Sequence, residues 1–170
     1  MKDGEKKWYV FKVMSRQEKK AASQLAKKQI EYYLPLRPKK RTWSDRIKII
    51  EMPLFPGYIF VKIDFSTEKN AVFSATGICG FISVDEKPAV MSEEDLETIK
   101  KLTASSHELT TASIDNYPEG LEVKFDHGPF KGVTAVVKGV KNKKYIFVKF
   151  QMMGQMAVAE VDVMDIEKII

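Results

Sequence analysis

The stretch Pro53-Leu54-Phe55-Pro56-Gly57-Tyr58-Ile59-Phe60-Val61 restricts the possible folds of this chain more than any other. Two prolines frame the entrance to a very apolar strand. Proline has no amide proton to give a sheet ladder, so Phe55-Pro56-Gly57 must lie at a strand entrance or on an edge. The Pro-Gly pair suits a tight turn. Phe55 and Tyr58 flank it, and nothing requires both rings to enter the core, so the expectation is a stiff aromatic knuckle.

A second unusual step, Gly128-Pro129-Phe130-Lys131-Gly132, lies far downstream in a stretch of different texture. With 170 residues the chain has room for one ordinary domain or two small ones. Its 44% hydrophobic and 30% charged content is that of a soluble globular protein. No apolar run approaches the roughly 20 residues that span a bilayer. The charged start, Met1-Lys2-Asp3-Gly4-Glu5-Lys6-Lys7, is not a secretory signal. Cys79 is the single cysteine, which fits a reducing cytosol and is expected as a small buried hydrophobe on a strand. The net charge of +5 is uneven. Residues 1–104 hold 20 Lys+Arg against 14 Asp+Glu, whereas 105–170 hold 8 against 9. Nucleic-acid contact therefore belongs to the first part, and the second suits protein partners.

The aromatic, β-branched run Trp8–Val13 reads as a strand. Ser15 and Glu18 have capping-box spacing for a helix that carries Ala21, Ala22, Leu25 and Ala26 on one side. Tyr32–Leu36 begins the next strand, Ser44-Asp45 is a hairpin tip, and Ile47–Met52 returns. Ser66 or Thr67 would cap a short helix ended by Gly77. Ile78–Val84 is a further strand before a Glu86-Lys87 turn, and Ser92 and Asp95 would open a helix carrying Leu96, Ile99 and Leu102. This order predicts an α+β domain over 1–104, an antiparallel sheet flanked by helices. Residues 105–118 have the composition of a linker, rich in Ser and Thr with Asn116 and Pro118. From 119 to 170 five short strands predict a small β-barrel, the last of them Ile166–Ile170.

These features in this order, the aromatic first strand, Phe55-Pro56-Gly57-Tyr58, Gly80-Phe81-Ile82, the polar linker and Gly128-Pro129-Phe130-Lys131-Gly132, resemble the NusG family of transcription elongation factors. The resemblance spans nearly the whole chain and implies an N-terminal NGN domain followed by a C-terminal SH3-like KOW barrel. It further implies docking on the clamp helices of the largest RNA polymerase subunit through Trp8, Phe55, Pro56, Gly57, Tyr58 and Phe81. The basic stretch offers a second site. Lys39, Lys40, Arg41, Arg46 and Lys48 surround one stacking surface, Trp43, a mix suited to the phosphates and bases of the non-template DNA strand or nascent RNA. A solvated charged face is the plainer reading of the same run.

The stretch Leu36–Arg46 resembles specialised paralogs (RfaH/UpxY-like antiterminators) more than the housekeeping factor. In the KOW half, Phe130, Val133 and Met153 are the expected partner-binding residues. Val133 stands where the housekeeping pattern carries a second aromatic, and Met153-Gly154-Gln155 replaces a Phe-Gly-Arg turn used there to meet Rho and a ribosomal protein. Losing a ring and a guanidinium removes favoured anchors, which tilts the reading toward an operon-specific antiterminator with Rho recruitment weakened more than ribosome contact. Some paralogs refold the KOW domain as a helical hairpin, but Gly128, Pro129, Gly132, Gly139 and Gly154 favour a barrel here.

Catalysis and cofactors are not indicated. His107 and His127 lack ligand spacing, and Pro129 removes an amide that a phosphate cradle would use. The expectation is thus a monomeric, cytoplasmic, non-enzymatic factor that suppresses pausing and termination. The alternative is an RNA- or ribosome-binding KOW protein, which the near-neutral second half disfavours.

Overall fold

The aromatic run near the N-terminus forms β1 (Lys7–Val13), the strand that organises the first of two compact units, Met1–Glu93 and Glu94–Ile170. The computed structural model describes residues 4–105, 108–113, 115, 119–125, 131–140, 143–150 and 153–161. β1 pairs antiparallel with β5 (Tyr58–Ile63) along one edge. Along the other it meets β6 (Ile78–Phe81) and β9 (Val90–Met91), and β2 (Glu31–Tyr33) extends the sheet beyond β5. Between β2 and β5 lies a separate hairpin of β3 (Leu36–Thr42) and β4 (Ile47–Pro53).

β1 is apolar on both faces. Phe11 and Val13 join Ile59, Val61 and Ile63 of β5 under α1 (Glu18–Lys27) and α2 (Phe65–Phe73), and Ala21, Ala22, Leu25 and Val72 complete that core. The two alanines leave room for α1 to approach the sheet closely. Trp8, Val10 and Phe60 face the other way and are also buried.

Local details depart from the expected caps. Ser15 does not cap α1; Gln17 occupies the N-cap position without a side-chain bond, and Glu18 is turned elsewhere. Neither Ser66 nor Thr67 caps α2. Asp64 does, accepting from the Ser66 amide at 3.0 Å, while Glu68 reaches back to the Asp64 amide at 2.8 Å. The aspartate wins because it stands at the last extended residue, where its oxygen faces the open amides. Gly77 follows at φ +93°, and a Cβ there would lie 2.6 Å from the Gln17 Cβ, so only glycine fits.

The expected Ile78–Val84 strand is broken. β6 ends at Phe81, and a small hairpin of β7 (Ser83–Val84) and β8 (Lys87–Pro88) turns through Asp85 and Glu86, at φ 50° and 62°. Cys79 is exposed rather than buried. The register between β1 and β6 shifts beside it, Lys12 facing Gly80 and Val13 facing Ile78, so Cys79 is the extra residue of a bulge.

The second unit opens with α3 (Glu93–Ala104), whose Leu96, Ile99 and Leu102 are buried. Its sheet has the order β10-β14-β13-β12-β11, from β10 (Leu109–Ser113), β11 (Leu121–Lys124), β12 (Thr134–Val140), β13 (Lys143–Phe150) and β14 (Gln155–Val161). The core face carries Leu109, Val137, Ile146, Val148, Ala157 and Ala159. β10 lies inside the stretch expected to be a linker. Its Ser and Thr content misled, because an edge strand needs only one apolar side, and here Leu109 fills it opposite Ala159. The strand expected at 166–170 lies outside the described residues. Among those described, no helix is long and apolar enough to cross a membrane.

The α2 cap has a pH signature. The Ser66 hydroxyl and amide hold the Asp64 carboxyl below its ordinary range, and Lys6, then the Asp64 amide, do the same for Glu68. Groups depressed in the folded state stabilise it fully above about pH 4 and lose that contribution as the pH falls through their lower folded values. Asp64→Ala should therefore lower the thermal midpoint at pH 7 and show a shallower further loss on acidification than the parent, as read by melts from pH 7 to pH 2.

Candidate functional site

Phe55-Pro56-Gly57-Tyr58 forms a type II turn. The Tyr58 amide donates to the Phe55 carbonyl at 3.2 Å, and Gly57 has φ +85°. Both polar groups of Gly57 are held. Its amide donates to Oε1 of Glu18 at 2.9 Å, and its carbonyl accepts from the Val13 amide at 2.8 Å. Pro56 is exposed, while Gly57 and Tyr58 are half-buried.

Two of the expected polymerase-facing rings are not at the surface. Phe55 is 2% exposed, folded inward edge-on against Phe60 with centroids 6.3 Å apart. Trp8, the second residue of β1, is 5% exposed on the face it shares with Val10 and Phe60, with the Lys62 ammonium 5.7 Å from its ring. Tyr58 lies on that same face, directly across from Lys12.

Phe81 is separated from the other five residues. It pairs with Phe11 and so belongs to the helix-bearing face. There it meets Phe65 at 5.0 Å and Phe73 at 6.3 Å, and Tyr9 stacks obliquely on Phe65 at 5.0 Å. Phe73 is 38% exposed and the other three are half-buried, leaving an aromatic surface that sequence reasoning missed apart from Phe81. The available signal was the alternation Tyr9-x-Phe11, which sends both rings to one face. Burial raises the Tyr9 phenol pKa.

The β3–β4 hairpin brings together some of the expected cations and divides others. Residues directly opposite share a face. Arg41 faces Lys48, Lys39 faces Ile50 and Arg37 faces Met52, so Arg37, Lys39, Arg41 and Lys48 line one side. Lys40 lies on the reverse side, opposite Ile49 and next to the Thr42–Ile47 pair. Ile47 and Ile49 are 68% and 65% exposed there. Trp43 and Arg46 close the loop, with the Trp43 amide donating to the Arg46 carbonyl at 2.8 Å, and the indole is 55% exposed.

In the second unit Val133 and Met153 are buried, at 1% and 6% exposure, so they are core residues and not partner contacts as expected. Val133 is drawn in where its carbonyl accepts from the Phe125 amide at 3.0 Å, and Met153 lies one residue before Gly154 at φ +61°. Phe130 lies outside the described residues.

Comparison with known proteins decides what this arrangement belongs to. The family described as transcription termination factor nusG matches residues 6–100, more than half of the chain. The chain belongs to the NusG family. The NusG termination/antitermination protein of Haemophilus influenzae is 26% identical over 96% of this chain and 95% of its own length. That of Borreliella burgdorferi is 22% identical over 95% and 98%, and that of Helicobacter pylori J99 is 28% identical over 75% and 72%. The solved structure "Domain interaction in Thermotoga maritima NusG" has a similar fold, with a TM-score of 0.57 at 22% identity over 91% of this chain and 92% of that one. The mixed α+β architecture agrees with an NGN plus KOW arrangement, and the family is one of non-enzymatic transcription factors.

The turn that ends in Tyr58 depends on a left-handed residue. A Cβ at Gly57 would meet nothing closer than the Val13 carbonyl oxygen at 3.5 Å, so backbone strain and not collision sets the effect of substitution. Gly57→Ala should destabilise the protein by about 1–2 kcal/mol in a denaturant titration, with an unchanged m-value.

Proposed function

We propose that this NusG-family chain is an elongation and antitermination factor that rides on RNA polymerase and suppresses pausing and termination at specific operons. Its front module, taken as residues 1–104, binds the clamp helices of the largest subunit. The family match runs to residue 100 and so supports drawing that module into α3, although the compact units divide at Glu93. The observation that carries the reading is the Phe55–Tyr58 turn, a rigid projection with Pro56 exposed and Tyr58 half-exposed. A preorganised aromatic loses little entropy on docking. Pro56, Gly57 and Tyr58 make the contact directly, whereas Trp8 and Phe55 support it from beneath. Phe81 belongs to the separate aromatic surface.

The hairpin grips nucleic acid at the transcription bubble, the non-template strand or nascent RNA. Lys39, Arg41 and Lys48 on one side, with Arg46 and Trp43 at the tip, supply cations and one exposed stacking ring. Lys40 contributes from the reverse face. Residues 119–170 form the KOW module, with β10 (Leu109–Ser113) adding the edge strand of its sheet from within 105–118. With Val133 and Met153 in its core, that module lacks two of the expected anchors for Rho or the ribosome, which favours the specialised role. The factor acts as a cytoplasmic monomer without a cofactor.

Tyr58→Ala should weaken polymerase binding about 10-fold while leaving the thermal midpoint nearly unchanged. An unaltered affinity in a binding titration would remove the turn from the interface. The paired reversal Arg41→Glu and Arg46→Glu should reduce readthrough and flatten its salt dependence. In vitro transcription across a pause and a terminator, at several salt concentrations, measures both; a protein without effect on either would refute the reading, and co-purification with ribosomal subunits in place of polymerase would favour the RNA-binding alternative.

A further inference from the structure

We propose that Glu18 is a positioning residue for polymerase docking, its buried carboxylate presetting the Phe55–Tyr58 turn; this rests on the reading of that turn as the polymerase contact. Among the described residues Glu18 is the only buried charged side chain, at 5% exposure. Burying a carboxylate is unfavourable unless it is well bonded. Its place in the first turn of α1 offsets part of that, because the helix N-terminus favours negative charge. The Gly57 amide, 39 positions away in sequence, supplies a charge-assisted bond at 2.9 Å.

The arrangement ties the turn to two different elements at once. α1 holds the Gly57 amide through Glu18, and β1 holds the Gly57 carbonyl through the Val13 amide. Pro56 restricts the backbone on the preceding side. The peptide leading into Tyr58 is thereby oriented relative to both elements before any partner arrives. Glu18 has capping-box spacing from Ser15, yet Ser15 forms no such box and the carboxylate serves the turn instead.

The test uses the full chain, core RNA polymerase and three substitutions at Glu18. Glu18→Met fills the space without an acceptor, Glu18→Gln restores an acceptor, and Glu18→Asp keeps the charge but withdraws it by one methylene. The Met and Asp variants should bind polymerase roughly tenfold more weakly, and the Gln variant within about twofold of the parent. Amide exchange of Gly57 should accelerate in Met and Asp alone, with the β1 and β5 amides unchanged. Combined with Tyr58→Ala, Glu18→Met should cost less than the product of the two separate losses. Parent-like affinity of a folded Met or Asp variant, a multiplicative double mutant, or equal losses in Met and Gln would overturn the inference. If Tyr58→Ala alone is silent, the docking reading fails and the inference with it, even where Gly57 exchange still shows Glu18 holding the turn.

Discussion

The pairing of β1 with β5 is the constraint on which the first unit depends. Their register places Phe11 opposite Ile59 and Val10 opposite Phe60, so each strand sends large apolar groups to both faces of the sheet. A slip of one residue would turn over the strand that moved and drive Lys12 of β1 or Lys62 of β5 toward the helix-side core. The same register puts Tyr58 opposite Lys12, at the end of β5 where the chain arrives from the turn. Val13, two positions beyond Phe11, then reaches the Gly57 carbonyl. Turn, strand pairing and α1 form one mechanical assembly, with Gly57 at its junction.

Much of this was legible from residue types. The strands built around Trp8–Val13, Ile59–Val61 and Ile146–Phe150 are aromatic and β-branched, and the first unit's sheet is antiparallel as its order of elements implied. The sequence signals failed where a tertiary partner outcompeted a local one. Ser15 and Glu18 have the spacing of a cap, but the Gly57 amide takes the carboxylate, and no local pattern announces a bond across 39 residues. Asp64 outranks Ser66 as a cap because it precedes the helix. Leu109–Ser113 reads as a linker since its single large apolar side chain gives no visible period.

The candidate site was legible in kind more than in geometry. A Pro-Gly turn flanked by rings did form, but composition cannot say which ring points inward. Phe55 found a T-shaped partner in Phe60, while the tyrosine hydroxyl favours a position nearer water. The bulge at Cys79 and the break after Phe81 likewise escape any reading of propensity, because a register shift leaves no compositional trace. Lys40 adjoins Lys39 and Arg41 in sequence, but strand alternation places it on the opposite side of the ribbon from them.

The β3–β4 ribbon carries a further consequence. It pairs with neither five-stranded sheet, and its reverse side shows two branched aliphatics largely open to water. Such a ribbon invites edge-to-edge stacking with copies of itself. Lys40 beside Ile49, and Arg46 and Lys48 on either side of Ile47, act as gatekeepers against that fate through mutual repulsion. The cations that make the ribbon strongly basic therefore also disfavour its stacking against a second copy.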